Sequence, residues 1–117
     1  MKLKNYVETL RAANNYALSL IDLKHPEEAK PLLRQTIPIA RRLLEENDDT
    51  MLRMRCFYAE ALYRAEDATL DDLREAVTTL EETARTARRV FGGAHPLTGW
   101  IEGALQGART KLAQSNT

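Results

Sequence analysis

Hydrophobic residues recur along the chain with the three- and four-residue spacing of an α-helix, and they nowhere alternate with the period of a β-strand. Polar stretches and helix-breaking residues divide this pattern into five segments. The segments cover residues from about 7 to 24, 26 to 44, 52 to 66, 69 to 91 and 96 to 113, with a polar tail from Gln114 to Thr117. The spacing therefore predicts an all-α protein of five helices.

Local signals at the segment ends support these boundaries. Pro26 and Pro96 suit the first turn of a helix, where a missing N–H costs nothing. Thr69, with Asp72 three residues later, is typical of a capping box that has Asp in place of Glu. Gly92 can adopt the left-handed conformation that ends many helices. These signals predict four helix ends independently of the hydrophobic pattern.

Two prolines lie inside the second segment, and each removes one backbone hydrogen bond from a helix. Pro31 is close enough to the helix start to be tolerated. Pro38 lies in the middle, so we expect a kink or a local break there.

The chain also contains an internal repeat. The helix that carries Leu10 and Tyr16-Ala17 recurs with Leu52 and Tyr58-Ala59, an offset of 42 residues (52 − 10). The following helices are related by a different offset, 47 residues (76 − 29), as in Glu28-Ala29 and Glu75-Ala76. Repeats of this period indicate stacked units that cannot bury their apolar faces alone. The change of offset predicts a five-residue insertion in the turn around residues 65–70.

At these positions the sequence resembles the tetratricopeptide repeat family, in particular the 42-residue repeats of kinesin light chains. Three motifs carry the resemblance: Asn14-Asn15-Tyr16-Ala17, Glu27-Glu28-Ala29-Lys30-Pro31-Leu32 and Gly92-Gly93-Ala94-His95-Pro96. The family implies a right-handed α-solenoid of antiparallel helical hairpins. One domain, residues 1–117, would hold repeats at about 5–46 and 50–92 and a terminal half repeat or capping helix at about 96–114. Gln106 departs from the pattern, because the earlier repeats have Ala17 and Ala59 there.

The resemblance also implies a binding site, since the first helix of each family repeat lines a concave groove. Carried over residue by residue, the groove would be formed by Arg11, Asn14, Asn15, Leu18, Ile21, Asp22, Arg53, Cys56, Phe57, Glu60, Tyr63 and Arg64. Asparagine amides can hold the backbone of an extended peptide, and arginines can bind carboxylates. Together with Arg55, the arginines of the third helix favour a partly acidic peptide. The alternative is that these polar residues merely form a solvated helix face.

Composition and charge limit the other function classes. A chain of 117 residues is the size of one domain, and 17 basic residues balance 17 acidic ones, which argues against a dedicated nucleic-acid binder. No apolar run approaches the roughly 18 residues of a membrane span. Cys56 is the only cysteine, which suits a reducing compartment, so we expect a cytoplasmic protein.

No motif for catalysis, a metal or a cofactor accompanies the repeat pattern, so we expect neither an enzyme nor a bound cofactor. His25 and His95 precede prolines at helix starts, which indicates turn or capping roles. Cys56 lies on an apolar stripe and is more typical of a packing residue than of a reactive thiol.

Two functions follow from this interpretation. The first is a non-catalytic scaffold that binds a peptide or protein segment in the groove. The second is a structural module that forms homo-oligomers through its terminal helices. Gly99, Gly103 and Gly107 give the last helix a smooth face that another helix could approach closely, although they could equally mark a marginal terminal helix.

Overall fold

The computed structural model describes the backbone of residues 3–115 and the side chains of residues 5–115. This part of the chain forms five helices and no strand. They are α1 (Leu3–Asp22), α2 (Pro26–Leu43), α3 (Asp49–Arg64), α4 (Leu70–Phe91) and α5 (Pro96–Ser115). The predicted all-α helical solenoid is confirmed.

Each helix packs against the next one along the chain, and α3 also contacts α1 and α5. The third helix is therefore the centre of the fold. Its surroundings explain why 13 of its residues are buried. Four alanines at repeat-equivalent positions are fully buried, which lets paired helices approach closely: Ala17, Ala29, Ala59 and Ala76.

Side chains and backbone conformation fix the helix ends as the local signals predict. Pro26 begins α2 and Pro96 begins α5. The Thr69 hydroxyl accepts from the Asp72 N–H at 3.1 Å while the Asp72 carboxylate accepts from the Thr69 N–H at 3.1 Å, a complete capping box. Gly92 follows α4 with φ +88°, a conformation that only glycine adopts without strain.

The five-residue insertion is not confined to the turn. The connection between α3 and α4 covers residues 65–69, against residues 23–25 between α1 and α2, so the turn takes two of the extra residues. The other three extend α4, which begins at Leu70 rather than at residue 73, the repeat equivalent of Pro26 (26 + 47). The capping box starts the helix early, because it stabilises one more turn than the repeat needs.

Pro38 does not end the helix, and α2 continues through both internal prolines. Pro38 is exposed, so solvent can reach the carbonyl that loses its partner. The predicted polar tail is also shorter than expected, since Gln114 and Ser115 belong to α5, where the Ser115 hydroxyl donates to the Lys111 carbonyl at 3.0 Å. Residues 116 and 117 of that tail lie outside the described residues.

Candidate functional site

A cleft of about 290 Å³ lies between α1 and the start of α3. Four of the predicted groove residues line it together with two residues that the sequence did not single out. The lining consists of Arg11, Asn14, Asn15, Arg53, Asp49 and Thr50. We call this surface the α1–α3 cleft.

Asn14 is the unusual residue of the cleft. Its side chain is only 4% exposed, and its buried Oδ1 atom accepts no hydrogen bond from any described residue. A buried acceptor with no donor costs about 1–3 kcal/mol relative to a satisfied one, so native structures rarely keep one without a use. Because this atom is shielded from solvent, an N–H donor in the α1–α3 cleft reaches it only after the Asn14 side chain turns toward the cleft.

Charged groups surround this acceptor. Arg53 Nε lies 3.6 Å from Asp49 Oδ2, one turn earlier on α3. Arg11 is exposed and makes no ion pair with any described residue. Because two arginines line the cleft against one aspartate, it has a net positive charge and a free guanidinium for a carboxylate.

Six of the twelve predicted groove residues are buried. They are Asn14, Ile21, Cys56, Phe57, Glu60 and Tyr63. Helix α5 covers two of these on α3: the Phe57 and Trp100 rings meet edge to face at 5.0 Å, and Gly107 lies against the Tyr63 ring. Lys111 extends this cover, because its Nζ donates to the backbone oxygens of Tyr63 and, at 3.0 Å, of Ala65.

The remaining predicted residues do not form one continuous row with the α1–α3 cleft. Leu18 is half-buried against the core, and Asp22 is exposed at the end of α1. Ile21 and Arg64 line a separate cleft of about 670 Å³ near the α1–α2 and α3–α4 turns. Its other residues include Lys24, Glu66 and Asp67. The structure therefore divides the predicted groove into two clefts.

Glu60 and Cys56 form a buried pair between these clefts. Cys56 Sγ lies 3.6 Å from Glu60 Oε1, and Arg64 holds the other carboxylate oxygen at 3.0 Å. Burial raises the pKa of Glu60 against the opposing effect of Arg64, and burial raises the pKa of Cys56 well above its ordinary value. The thiol therefore stays protonated, and Cys56 is the packing residue that the sequence predicts.

The arginines of α3 do not form one basic surface. Arg55 is buried, and it donates to Glu82 at 3.0 Å and Glu46 at 3.4 Å, away from the α1–α3 cleft. Arg64 pairs with Glu60. The basic character predicted for α3 is thus largely neutralised by acidic residues, and the positive charge of the cleft depends on Arg11 and Arg53.

A polar network that the sequence analysis missed joins the two hairpins. Tyr58 donates to Glu75 Oε2 at 2.7 Å and accepts from Arg34 Nε at 3.1 Å. In the same junction, Lys30 Nζ lies 3.4 Å from Asp72 Oδ1. Burial, followed by the Glu75 hydrogen bond, raises the pKa of Tyr58. The sequence signal for this network was the tyrosine that recurs in the repeat. Its partners lie on other helices, so the repeat pattern does not identify them.

The two histidines lie at helix starts. His95 Nδ1 accepts from the Leu97 N–H at 3.0 Å, which confirms a capping role. His25 makes no side-chain capping bond, although it holds the N-cap position of α2. His25, Glu27 and Glu28 are the one group of three possible metal ligands among the described residues, and all three are exposed.

The three glycines of α5 differ in their surroundings. A Cβ atom at Gly99 or Gly103 would meet open space, whereas one at Gly107 would lie 3.2 Å from the Tyr63 hydroxyl. Gly107 is thus needed for packing of α5 on α3, and Gly99 and Gly103 face outward.

The comparisons with known proteins agree with the helical repeat. Residues 9–49, about a third of the chain, match the family model described as Tetratricopeptide repeat. Searches of curated proteins and of solved structures found no match. Tetratricopeptide repeats in general mediate protein–protein interactions and are non-catalytic. None of the helices among residues 3–115 is both long and apolar enough to cross a bilayer.

Proposed function

We propose that the protein is a non-catalytic scaffold that binds an extended, partly acidic peptide segment of another protein in the α1–α3 cleft. The observation that carries this proposal is Asn14, which lines the cleft and whose buried Oδ1 accepts no hydrogen bond from any described residue. A peptide backbone N–H is the donor that an extended ligand would supply at regular intervals. The match of residues 9–49 to a family of interaction repeats supports the same class of function.

The surrounding charges suggest the ligand's chemistry. Arg11 has no partner among the described residues, so its forked donors are available to a carboxylate. Arg53 would exchange its pairing with Asp49, at 3.6 Å, for a ligand acid at small cost, because both side chains are largely exposed. The cleft is short, so we expect modest affinity from it alone.

A peptide array tests this proposal. The probe is a panel of random extended peptides whose net charge is varied, applied to the wild-type chain and to the variant Asn14→Ala plus Arg53→Ala. We expect the wild type to select peptides that contain Asp or Glu, and the double variant to lose that selection. A control variant, Gln106→Ala plus Arg89→Ala, changes the same residue classes at exposed positions on α5 and α4 and should bind as the wild type does.

Retained binding by the double variant would overturn the assignment of the cleft. Selection of peptides without regard to acidic residues would overturn the ligand chemistry and leave the cleft assignment standing. A cytoplasmic location remains part of the proposal, and fractionation of cells that express the tagged chain would check it.

A further inference from the structure

The first hairpin exposes the positions that the second hairpin buries. Tyr16 is 59% exposed, whereas its repeat equivalent Tyr58 is 8% exposed because α2 covers it. Leu23 is 68% exposed, whereas its equivalent Ala65 is buried. Tyr16 of α1 and Leu23 just after it face the side on which a preceding element would pack.

Helix α2 continues this exposed surface. Its residues Lys30 and Arg34 reach Asp72 and Glu75 of α4, while Leu32 and Ile39 lie on the other side of the helix at 100° per residue. Together with the outward side of α1 they form what we call the N-terminal face, whose large apolar residues are Tyr6, Tyr16, Leu23, Leu32 and Ile39. Four of the six large hydrophobic residues that the described chain exposes lie on this face.

The composition of the face is not that of a solvated helix end. The positions of α4 that correspond to Leu32 and Ile39 hold Thr79 and Thr86. In the second hairpin this side contacts the first hairpin through a polar group, Glu75, which pairs with Arg34. Apart from Leu32, which is half-buried against the core, these apolar side chains of the first hairpin are exposed in the described chain, which marks an interaction surface.

The charges along α2 indicate what covers it. One stripe of α2 has successive spacings of four, three, four and three residues, which is the pattern of the seam between two paired helices. It consists of Glu28, Leu32, Gln35, Ile39 and Arg42. Glu28 and Arg42 lie at equal distances on either side of Gln35. An antiparallel copy of the same helix, with the twofold axis at Gln35, would place Glu28 against Arg42 of the second copy and Leu32 within one residue of its Ile39. Arg42 makes no ion pair with any described residue, so it is free for that contact.

We propose that the protein forms a twofold-symmetric dimer in which the N-terminal faces of two copies pack through antiparallel α2 helices. The strip from Glu28 to Arg42 is about 21 Å long, and two neighbouring helices give the face a width of about 20 Å. The dimer therefore buries on the order of 1,000 Å², near the lower limit for specific interfaces, and it dissociates on dilution. Tyr16 is rotated by about 140° from Arg11 around α1, so both copies keep their α1–α3 clefts open.

Sedimentation velocity over a dilution series from about 1 mM to about 1 µM tests the dimer. We expect the wild type to change from dimer to monomer within this range and Ile39→Glu to remain a monomer. Val90→Glu is the matched control, since Val90 is 40% exposed against 48% for Ile39 and lies on α4. Circular dichroism checks that each variant is folded. A wild type that is monomeric throughout, or a control that dissociates as Ile39→Glu does, would overturn the proposal.

A charge exchange tests the antiparallel register. Glu28→Arg and Arg42→Glu should each weaken self-association by about tenfold or more, because each places like charges opposite one another. An equimolar mixture of the two variants should form heterodimers, since every pair is then complementary. A mixture that associates no better than either variant alone would rule out this register.

Discussion

The two hairpins repeat one pattern in different surroundings. Tyr58 of the second hairpin joins Arg34 and Glu75 across the hairpin junction, whereas Tyr16 of the first, in the equivalent position, is exposed. A second difference concerns the position that Asn14 and Cys56 share, which is buried in both hairpins but holds an unsatisfied acceptor in the first and a thiol in the second. The second hairpin is the more deeply buried of the two, and the first is the one that we propose for binding.

The largest expected difference between the hairpins is in their cores. Leu62 is 1% exposed on α3, which contacts all four other helices, and its equivalent Leu20 is 8% exposed on α1. Leu62→Ala should lower the free energy of unfolding by an amount near the upper end of the usual range of about 2–5 kcal/mol. Leu20→Ala should lower it by an amount near the lower end. Urea denaturation of both variants measures this difference. Equal losses would contradict the central role of α3.

The repeat-equivalent tyrosines, Tyr58 and Tyr16, should show the second-largest difference in unfolding free energy. Tyr58→Phe removes the hydroxyl that links Arg34 to Glu75, and hydrogen bonds to charged groups contribute about 1.5–3 kcal/mol. Tyr16→Phe should change the unfolding free energy by less than about 0.5 kcal/mol, as expected for an exposed position. The same denaturation measurement compares them, and a loss for Tyr16→Phe as large as for Tyr58→Phe would contradict this account.

The starts of α2 and α4 offer a smaller contrast. Thr69→Ala should cost about 1 kcal/mol, because it opens the capping box of α4. His25→Ala should be nearly neutral, since His25 makes no side-chain capping bond. Thermal unfolding of the two variants would show the difference, and a larger loss for His25→Ala would be the contrary result.

The smallest expected effect is the pH dependence of stability that Glu60 causes. The equivalent residue in the first hairpin is Leu18. Burial raises the pKa of Glu60 in the folded state, so the folded protein holds the proton more tightly than the unfolded chain does. Its contribution to stability is present below the unfolded value of about 4.3 and falls as the pH rises through the folded value. Glu60→Gln should therefore gain stability relative to the wild type between pH 4 and neutrality.

Denaturation curves of the two proteins at each pH give that difference directly. Asp72 should act in the opposite direction, because the Thr69 backbone hydrogen bond lowers its pKa. Its contribution is complete above about pH 4 and is lost as the pH falls through the lower folded value. A Glu60→Gln difference that shrinks as the pH rises would contradict the raised pKa.

The sequence predicted most of the fold because its signals are local. Hydrophobic spacing, Pro26, the Thr69 capping box and Gly92 each act within a few residues, and each appears in the structure as expected. The offset of the repeat also located the insertion, but counting residues could not reveal that three of them extend α4.

The candidate site was less predictable because it depends on contacts between distant residues. The groove that the family resemblance implies includes Phe57 and Tyr63, but only the packing of α5 shows that Trp100 and Gly107 cover them. The pairing of Arg55 with Glu82 is equally invisible in the sequence, since it depends on how α3 crosses α4. Burial of Asn14 without a donor is likewise a property of the assembled helices.

The central claim is that Asn14 is kept for binding rather than for folding. The most direct test is a calorimetric titration of Asn14→Cys, which places the residue of the second hairpin in the first, with an acidic peptide selected on the array. We expect the variant to be at least as stable as the wild type, because a buried unsatisfied acceptor has been removed, and to bind at least about tenfold more weakly. Undiminished affinity in the folded variant would contradict the account.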